Sequence, residues 1–286
     1  MTDQAVTSVF ASGRMRAIRD LVARIATTRA TVLLRGEHGV GKELLARAIH
    51  AASQRADKQF IKLNCAMFSG EALEAELFGH EKGALFGTGR LRPGTLETAH
   101  QGTLLIEEIQ ELPPRLQGRL LQVVDRAEFT RLGGDRALAT DVRIITATTV
   151  DLEADVRARR FREDLYYRLN AIEIVVPPLR QRQEEIPALV AHFADRFNAQ
   201  YGRETFIAPE TMALFAGFAW PGNVEQLEDS VRRIVIGGNP SLIQRQIFEQ
   251  MAAEPRPRRP VRVHRPPVPT AIVAETEWVR ARRRLA

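Results

Sequence analysis

The chain has 286 residues, 44% of them hydrophobic, enough to bury one large domain or a large and a small one. Its single cysteine, Cys65, excludes a disulfide framework, and no basic-then-apolar leader or apolar stretch near the roughly 18 to 20 residues of a spanning helix is present, which points to a soluble, cytoplasmic protein without a membrane partner. The formal charge of +6 resides in residues 254–286, with nine arginines against three glutamates, so residues 1–253 balance at 32 basic and 32 acidic.

A short apolar run at 31–34 reads as a strand. It leads into Gly36, Glu37, His38, Gly39, Val40, Gly41, Lys42 and Glu43, and a helical pattern then covers 43–52. Glycines that free backbone N–H groups at a helix N-terminus cradle the phosphates of a nucleotide, while Lys42 reaches the β- and γ-phosphates. Glu43 stands where many such loops carry a Ser or Thr ligand for Mg²⁺, so the metal must find its protein ligands elsewhere. Strands follow at 60–64 and 102–106, with helical patterns at 70–78 and 115–127. The strand at 102–106 runs into Glu107-Glu108. Paired carboxylates at a strand end suit a site where one organises Mg²⁺ and its neighbour orients or deprotonates water, and without a cation the pair would be costly to bury.

Strands at 142–148 and 171–176 complete a β-then-α alternation, which predicts a parallel sheet covered by helices on both faces. Thr148 ends the first of these. Its neighbour Thr149 reads by residue type as a β-branched strand terminus. The run F-R-E-D-L-Y-Y-R, with Arg162 and Arg168, reads by charge alone as a solvated helix in which both arginines pair with Glu163 and Asp164. After Pro177-Pro178 the strands stop. Helical patterns at 183–200, 208–218 and 224–236, the last after the Pro221-Gly222 turn, predict a small all-helical lid. The expected organisation is an α/β nucleotide-binding part over 1–177, a lid over 178–253 and a basic Pro/Arg-rich tail over 254–286. Six prolines keep 254–269 extended or disordered and leave only 270–286 for a helix. Such an arm is either a solvated terminus or a non-specific contact for DNA and other polyanions.

Six motifs occur in order over about residues 8–237: F-I-K-L-N-C-A, A-E-L-F-G-H-E-K-G-A-L-F-G-T, G-T-L-L-I-E-E-I, D-V-R-I-I-T-A-T-T, F-R-E-D-L-Y-Y-R-L-N and F-A-W-P-G-N-V-E-Q-L-E. Together they resemble the AAA+ domain of bacterial sigma-54-dependent transcription activators, the enhancer-binding proteins. The resemblance implies a P-loop AAA+ fold with a helical lid, and ATP and Mg²⁺ as ligands. It also implies a ring of identical or paralogous subunits that hydrolyses ATP at its interfaces and remodels the RNA polymerase sigma-54 holoenzyme. At matching positions Glu108 would be the catalytic glutamate, Asn64 the asparagine that holds it when idle, Glu107 the metal-organising carboxylate and Thr148 a sensor. Arg162 and Arg168 would be fingers reaching a neighbour's site. Gly83, Ala84, Leu85, Phe86, Gly87 and Thr88 would form the sigma-contacting loop, and Glu225 would occupy the lid's γ-phosphate-sensing position.

Departures from the family pattern carry expectations of their own. Glu107 replaces an Asp and pushes its oxygens about one methylene toward the metal, which predicts slower turnover. Thr149 replaces an Asn, and reads equally as a strand terminus and as a sensing residue. Leu85-Phe86 replaces the Phe-Thr pair at the loop tip and argues against unaided action on sigma-54. Glu225 replaces an arginine, and a carboxylate beside phosphate is repelled by up to about 4 kcal/mol for unit charges about 4 Å apart at an effective dielectric near 20. With no helix-turn-helix pattern after residue 237 and no sensory domain before residue 8, the chain reads as close to a bare AAA+ domain. Its expected function is ATP-dependent regulation of transcription with reduced ATPase activity. The alternative is a nucleotide-binding pseudo-ATPase subunit that tunes a competent activator or acts through another sigma factor.

Overall fold

Strands buried on both faces read as unbroken apolar runs, and their alternate residues must then serve two separate cores. The protein, a computed structural model, is described over residues 12–84 and 89–253; the loop tip at 85–88 and the tail at 254–286 lie outside the described residues. Helix α1 (Gly13–Ile25) precedes strand β1 (Val32–Arg35), which leads through the phosphate loop into α2 (Lys42–Ala51). Then come β2 (Phe60–Asn64), α3 (Gly70–Phe78), a small hairpin of β3 (Gly79–His80) and β4 (Arg92–Pro93), the short α4 (Thr95–Thr98), β5 (Thr103–Glu107) and α5 (Pro114–Arg126). A second hairpin, β6 (Glu128–Thr130) with β7 (Ala137–Ala139), leads to β8 (Arg143–Thr148), α6 (Leu152–Arg157), α7 (Glu163–Leu169) and β9 (Ile172–Val175). Four helices follow: α8 (Ile186–Tyr201), α9 (Pro209–Gly217), α10 (Asn223–Gly237) and α11 (Ser241–Ala253).

The five-stranded sheet has the order β2-β5-β8-β1-β9, and every pairing is parallel. Val32, Leu34, Leu105, Ile145 and Ala147 face a core shared with α1, α2 and the helices after β9, whereas Leu33, Leu104, Ile106 and Ile144 face a second core built with α3, α5 and α7. The sheet is thus covered on both sides. The core on the α2 side continues into the lid through Phe193, Phe215, Trp220 and Leu227, so lid and sheet share one apolar interior. Residues up to Ile247 form one compact unit; the described end of α11, from Phe248, belongs to a second. Among the described residues no helix is long and apolar enough to cross a membrane.

The structure differs from the sequence expectation at several element ends. The predicted helix 183–200 is divided: Gln183–Glu185 is a 3₁₀ turn, and α8 starts at Ile186 because Pro187 fits a first turn, where its missing N–H has no helical partner to lose. Helix α1 was not anticipated, although Ser12 caps it by accepting from Met15 N at 3.2 Å and Met15, Val22 and Ile25 form its buried stripe. Both hairpins and α11 were also absent from the sequence reading.

Candidate nucleotide site

In a parallel sheet all strands present their C-terminal ends to one side, and ligands collect there. Register does the placing: Asn64 pairs with Glu107 across β2 and β5, and Arg35, the last residue before the loop, pairs with Thr148 across β1 and β8. Gly39 and Gly41 take φ of +73° and +99°, a backbone that turns the chain from strand to helix within the loop. Gly39 is also needed for space, since a Cβ there would lie 2.4 Å from the Gly222 carbonyl oxygen. Lys42 Nζ donates to the carbonyls of Gly36 and Glu37 at 2.8 and 2.9 Å. Burial lowers its pKa, opposed by the charges of Glu108 and Glu107. Glu43 accepts from Arg47 Nε at 2.9 Å and from Lys62 Nζ at 2.7 Å, so its carboxylate is engaged by protein cations.

Lys62 supplies the cation that the acidic pair requires. Its ammonium lies 3.6 Å from Glu107 Oε2 as well as against Glu43. The donor set suits Mg²⁺ delivered with a nucleotide: this ion takes one or two carboxylates plus phosphates and water, and among the described residues no three His, Cys, Asp or Glu gather into a cage. Glu107 and Glu108 line the cleft. The Glu108 carboxylate is held differently from the expectation. Its Oε2 accepts from Thr149 Oγ1 at 2.9 Å and from Gln110 Nε2 at 2.5 Å. Asn64 instead turns its Oδ1 to Ala66 N at 2.9 Å, capping the 3₁₀ turn Cys65–Met67, because a short amide at a strand end satisfies the nearest unpaired backbone donor. Thr148 Oγ1 donates to Gln110 Oε1 at 2.8 Å.

The lid is fastened to the phosphate loop. Asn223 is fully buried with φ +54°; its Oδ1 accepts from Leu179 N at 2.8 Å, and its Nδ2 donates to His38 O at 2.9 Å and Glu37 Oε2 at 3.2 Å. Val224 N donates to Gly39 O at 2.9 Å, and Arg180 forms a two-pronged pair with Glu37 at 2.6 and 2.8 Å. The buried Arg182 reaches Val40 O at 2.6 Å. Glu225 meets the site edge with its charge turned toward His38, 3.2 Å away. Arg196 and Arg232 line the lid side of the same cleft, each paired with an acidic neighbour, Glu228 and Asp229.

Arg162 and Arg168 are about half exposed, at 50% and 54%, and neither lines the cleft of its own chain. Arg162 pairs with Asp164 at 2.7 Å. The pairing of both arginines within their own helix fails for Arg168, which reaches Asp125 on α5 at 2.7 Å. Gly83 and Ala84 begin the loop between β3 and β4, while Leu85, Phe86, Gly87 and Thr88 lie outside the described residues. The loop base is pinned by Arg131, which bonds Glu81 at 2.8 Å and Glu97 at 2.6 and 2.8 Å.

The cleft between loop, strand ends and lid holds about 750 Å³, within the range of ligand sites. A smaller cleft of about 230 Å³ lies at the opposite strand ends, but there Arg143 and Arg55 are taken up by the carbonyls of Ile25, Ala26, Gly102 and Asp141. Sequence reasoning passed over Lys62, Gln110, Arg180 and Asn223. Lys62 alone carried a signal, as a lysine inside the otherwise apolar start of a strand.

Residues 9–175 match the Sigma-54 interaction domain, and residues 180–263 match the AAA+ ATPase lid domain. The chain belongs to the sigma-54 interaction domain family. The Nif-specific regulatory protein of Herbaspirillum seropedicae is 48% identical over 225 residues, covering 77% of this chain and 42% of that protein. Regulatory protein AtoC of Escherichia coli strain K12 is 48% identical over 215 residues, covering 75% of this chain and 47% of its own length. The chain therefore spans less than half of these two curated relatives. The crystal structure of NtrX from Brucella abortus in complex with ATP superposes with a TM-score of 0.78 at 33% identity, over 96% of this chain and 60% of that one. The fold is accordingly the P-loop AAA+ fold of the sigma-54-dependent activator family: an α/β sheet between helices with a helical region after it.

Proposed function

We propose that this chain binds ATP on loop 36–43, hydrolyses it at the interfaces of an oligomeric ring, and regulates transcription through the sigma-54 holoenzyme. The observation that carries this reading is the convergence of Lys42, after β1, with Asn64, Glu107 and Glu108, from the C-terminal ends of the adjacent strands β2 and β5, at one cleft under a fastened lid. The NtrX structures with ADP and with ATP support a nucleotide as its occupant. In this reading the loop amides and Lys42 bind the phosphates, Glu107 faces the metal, and Glu108 takes a proton from the attacking water. Bound Mg²⁺ would offset charge on the β- and γ-phosphate oxygens. In the same reading Arg162 and Arg168, about half exposed and not lining their own cleft, serve a neighbour's, a contribution of roughly 10³ to 10⁵ in rate in related chemistry. The proposed division places the nucleotide-binding part over 1–177, the lid over 178–253 and the basic tail beyond.

A second reading rests on Lys62. An ammonium already seated between Glu43 and Glu107 favours a subunit that binds nucleotide without turning it over. Phosphate release at saturating ATP and high protein concentration separates the two. The underlying site is tested by Lys42→Ala, expected to abolish ATP binding in titration calorimetry while the circular dichroism spectrum stays that of the folded chain. Undiminished affinity in the folded variant would refute the phosphate-loop assignment.

A further inference from the structure

Arg143, the first residue of β8, is 2% exposed and meets no carboxylate among the described residues. Its guanidinium donates to Ala26 O and Ile25 O at 2.5 and 2.9 Å, where α1 ends, and its Nε has no acceptor. Buried charges are ordinarily met by an opposite charge. The C-terminal end of α1 supplies about half an elementary charge, so the carbonyls orient this cation and leave part of its charge standing. Burial, and then the charge of Arg55, lowers the Arg143 pKa, and no acid opposes them.

Arg143 lines the cleft of about 230 Å³ at the N-terminal strand ends, together with Arg29, Arg55 and Lys58. Arg55 pairs with Asp141 at 2.5 Å, and Lys58 pairs with Asp57 at 3.1 Å. Four cations thus meet two carboxylates, and Arg29 and Arg143 are the two left over. We infer that this cleft is a binding site for inorganic phosphate, held by Arg29 and the amides of Gln54 and Gln101 in the field of Arg143, and selected by Asp141. The nucleotide reading is not needed for it. Arg29, Gln54 and Gln101 line the cleft and make no side-chain hydrogen bond or ion pair among the described residues, so their donors are available. The hydroxyls of Thr28 and Ser53 are not, since they donate to Ile25 O and His50 O. Gln101 holds a left-handed backbone at φ +63°, fixed by its N–H to Asp141 O at 2.7 Å, which sets its amide at the cleft beside Asp141.

Two features of the lining choose the ion. Ala26 is its only hydrophobic residue, so nothing offers a ring or an alkyl chain a surface, and the volume suits a small ion. Asp141 is the only carboxylate in the lining, and the hydrogen bond from Arg55, with the charges of Arg55 and Arg29, lowers its pKa against burial. An ionised carboxylate repels a fully deprotonated anion and accepts a hydrogen bond from one that carries a proton. Hydrogen phosphate carries one at pH 8. Sulfate does not, and a phosphate monoester, with a second pKa of about 6, has lost its own.

The test is titration calorimetry at pH 8 in sodium chloride buffer, with inorganic phosphate, sulfate and glycerol 3-phosphate as probes. It uses the full chain carrying Lys42→Ala, which disables the phosphate loop, beside the unsubstituted chain. Phosphate should bind saturably to both, with sulfate and glycerol 3-phosphate about tenfold or more weaker. Arg29→Ala should weaken phosphate about tenfold, the scale of a hydrogen bond to a charged group, and Arg29→Glu should abolish binding. Arg29 is exposed and bonds to nothing in the fold, so both variants keep the circular dichroism spectrum of the folded chain. Asp141→Asn should raise sulfate affinity and bring the phosphate-to-sulfate ratio to within about threefold. No saturable binding in the folded Lys42→Ala chain overturns the site, as does unchanged phosphate affinity in Arg29→Glu. Equal affinity for sulfate and phosphate would mark an adventitious ion only, and tighter binding of glycerol 3-phosphate would overturn the choice of the free ion. If Lys42→Ala still binds ATP, the phosphate-loop assignment fails and the Arg29 variants still decide this site.

Discussion

Among single residues, Glu37 makes the most direct connection between phosphate loop and lid. The two-pronged hydrogen bond from Arg180 is the main cause that holds its carboxyl down, from 4.5 to about 2, against the opposing effect of burial and with a further contribution from Asn223. A carboxyl whose folded pKa lies below its unfolded value adds stability that is fully present above the unfolded pKa and disappears as pH falls through the folded one. The window for this pair is thus between pH 4.5 and about 2. Both side chains are more than two-fifths exposed, so solvent screening keeps the effect small. Urea unfolding of the wild type and Arg180→Ala should show a stability difference at pH 5 that shrinks by pH 2.5; a constant difference would assign it to something other than this carboxylate. The residues that were legible in the sequence share one property: Lys42, Glu107 and Glu108 stand next to the element that gives them meaning. Gln110, Lys62 and Asn223 acquire theirs from partners brought by sheet pairing or lid docking. The Asn223 amide and the His38 carbonyl are 185 positions apart, a separation at which no local pattern signals contact.

Elements follow the same logic. The three central strands were readable because burial on both faces makes them largely apolar, and the edge strands β2 and β9 keep an apolar majority around Lys62 and Glu173; the observed ends of all five shift by one residue at most from the runs that mark them. The hairpins were not, since β3 and β4 have two residues each and β6 and β7 three, too few for any period to register. The turn before α10 shows how an element can be specified by side-chain bonds. Asn223 takes the left-handed backbone that its residue type tolerates, and it caps Leu179 N from a fully buried position. Trp220, also at positive φ, packs edge-on against Phe215 and Phe218 at 5.1 Å and donates Nε1 to Phe215 O. Asn223→Ala leaves a buried donor without its acceptor and puts alanine in a left-handed conformation. It should therefore destabilise the fold by about 2–4 kcal/mol in chemical denaturation. A loss below about 0.5 kcal/mol, the scale of a neutral surface change, would mean that the lid turn does not depend on this amide.

For the molecule as a whole, the separation of Arg162 and Arg168 from their own cleft makes the proposed activity a property of the assembly. Specific ATPase activity per subunit should rise with protein concentration, and Arg162→Ala or Arg168→Ala should remove the rise while leaving ATP binding near the wild-type value. A concentration-independent rate in a monomer shown by sedimentation would contradict the ring. The proposed action on sigma-54 rests on a different segment, the loop between β3 and β4. The base of the loop between β3 and β4 is built: Arg131 ties Glu81 to Glu97, Glu81 N donates to Leu132 O at 3.0 Å, and Gly83 takes φ +80°. A frame fixed in this way leaves the tip sequence as the variable, and there Leu85-Phe86 stands in place of the Phe-Thr pair. Phe86 supplies an aromatic ring, though one position late, and no hydroxyl remains at either site. Substitution of these two residues should therefore act on the proposed sigma-54 contact without disturbing the nucleotide cleft, because the ties described at the loop base run through Arg131, Glu81 and Glu97. Purified sigma-54 holoenzyme on a heteroduplex-free promoter, with saturating ATP, should form few open complexes with the unmodified chain and many more with Leu85→Phe, Phe86→Thr, at equal ATPase rates. Robust opening by the unmodified chain would show that the Leu-Phe tip is competent. Equal failure of both, with intact ATP hydrolysis, would move the missing contact away from this loop.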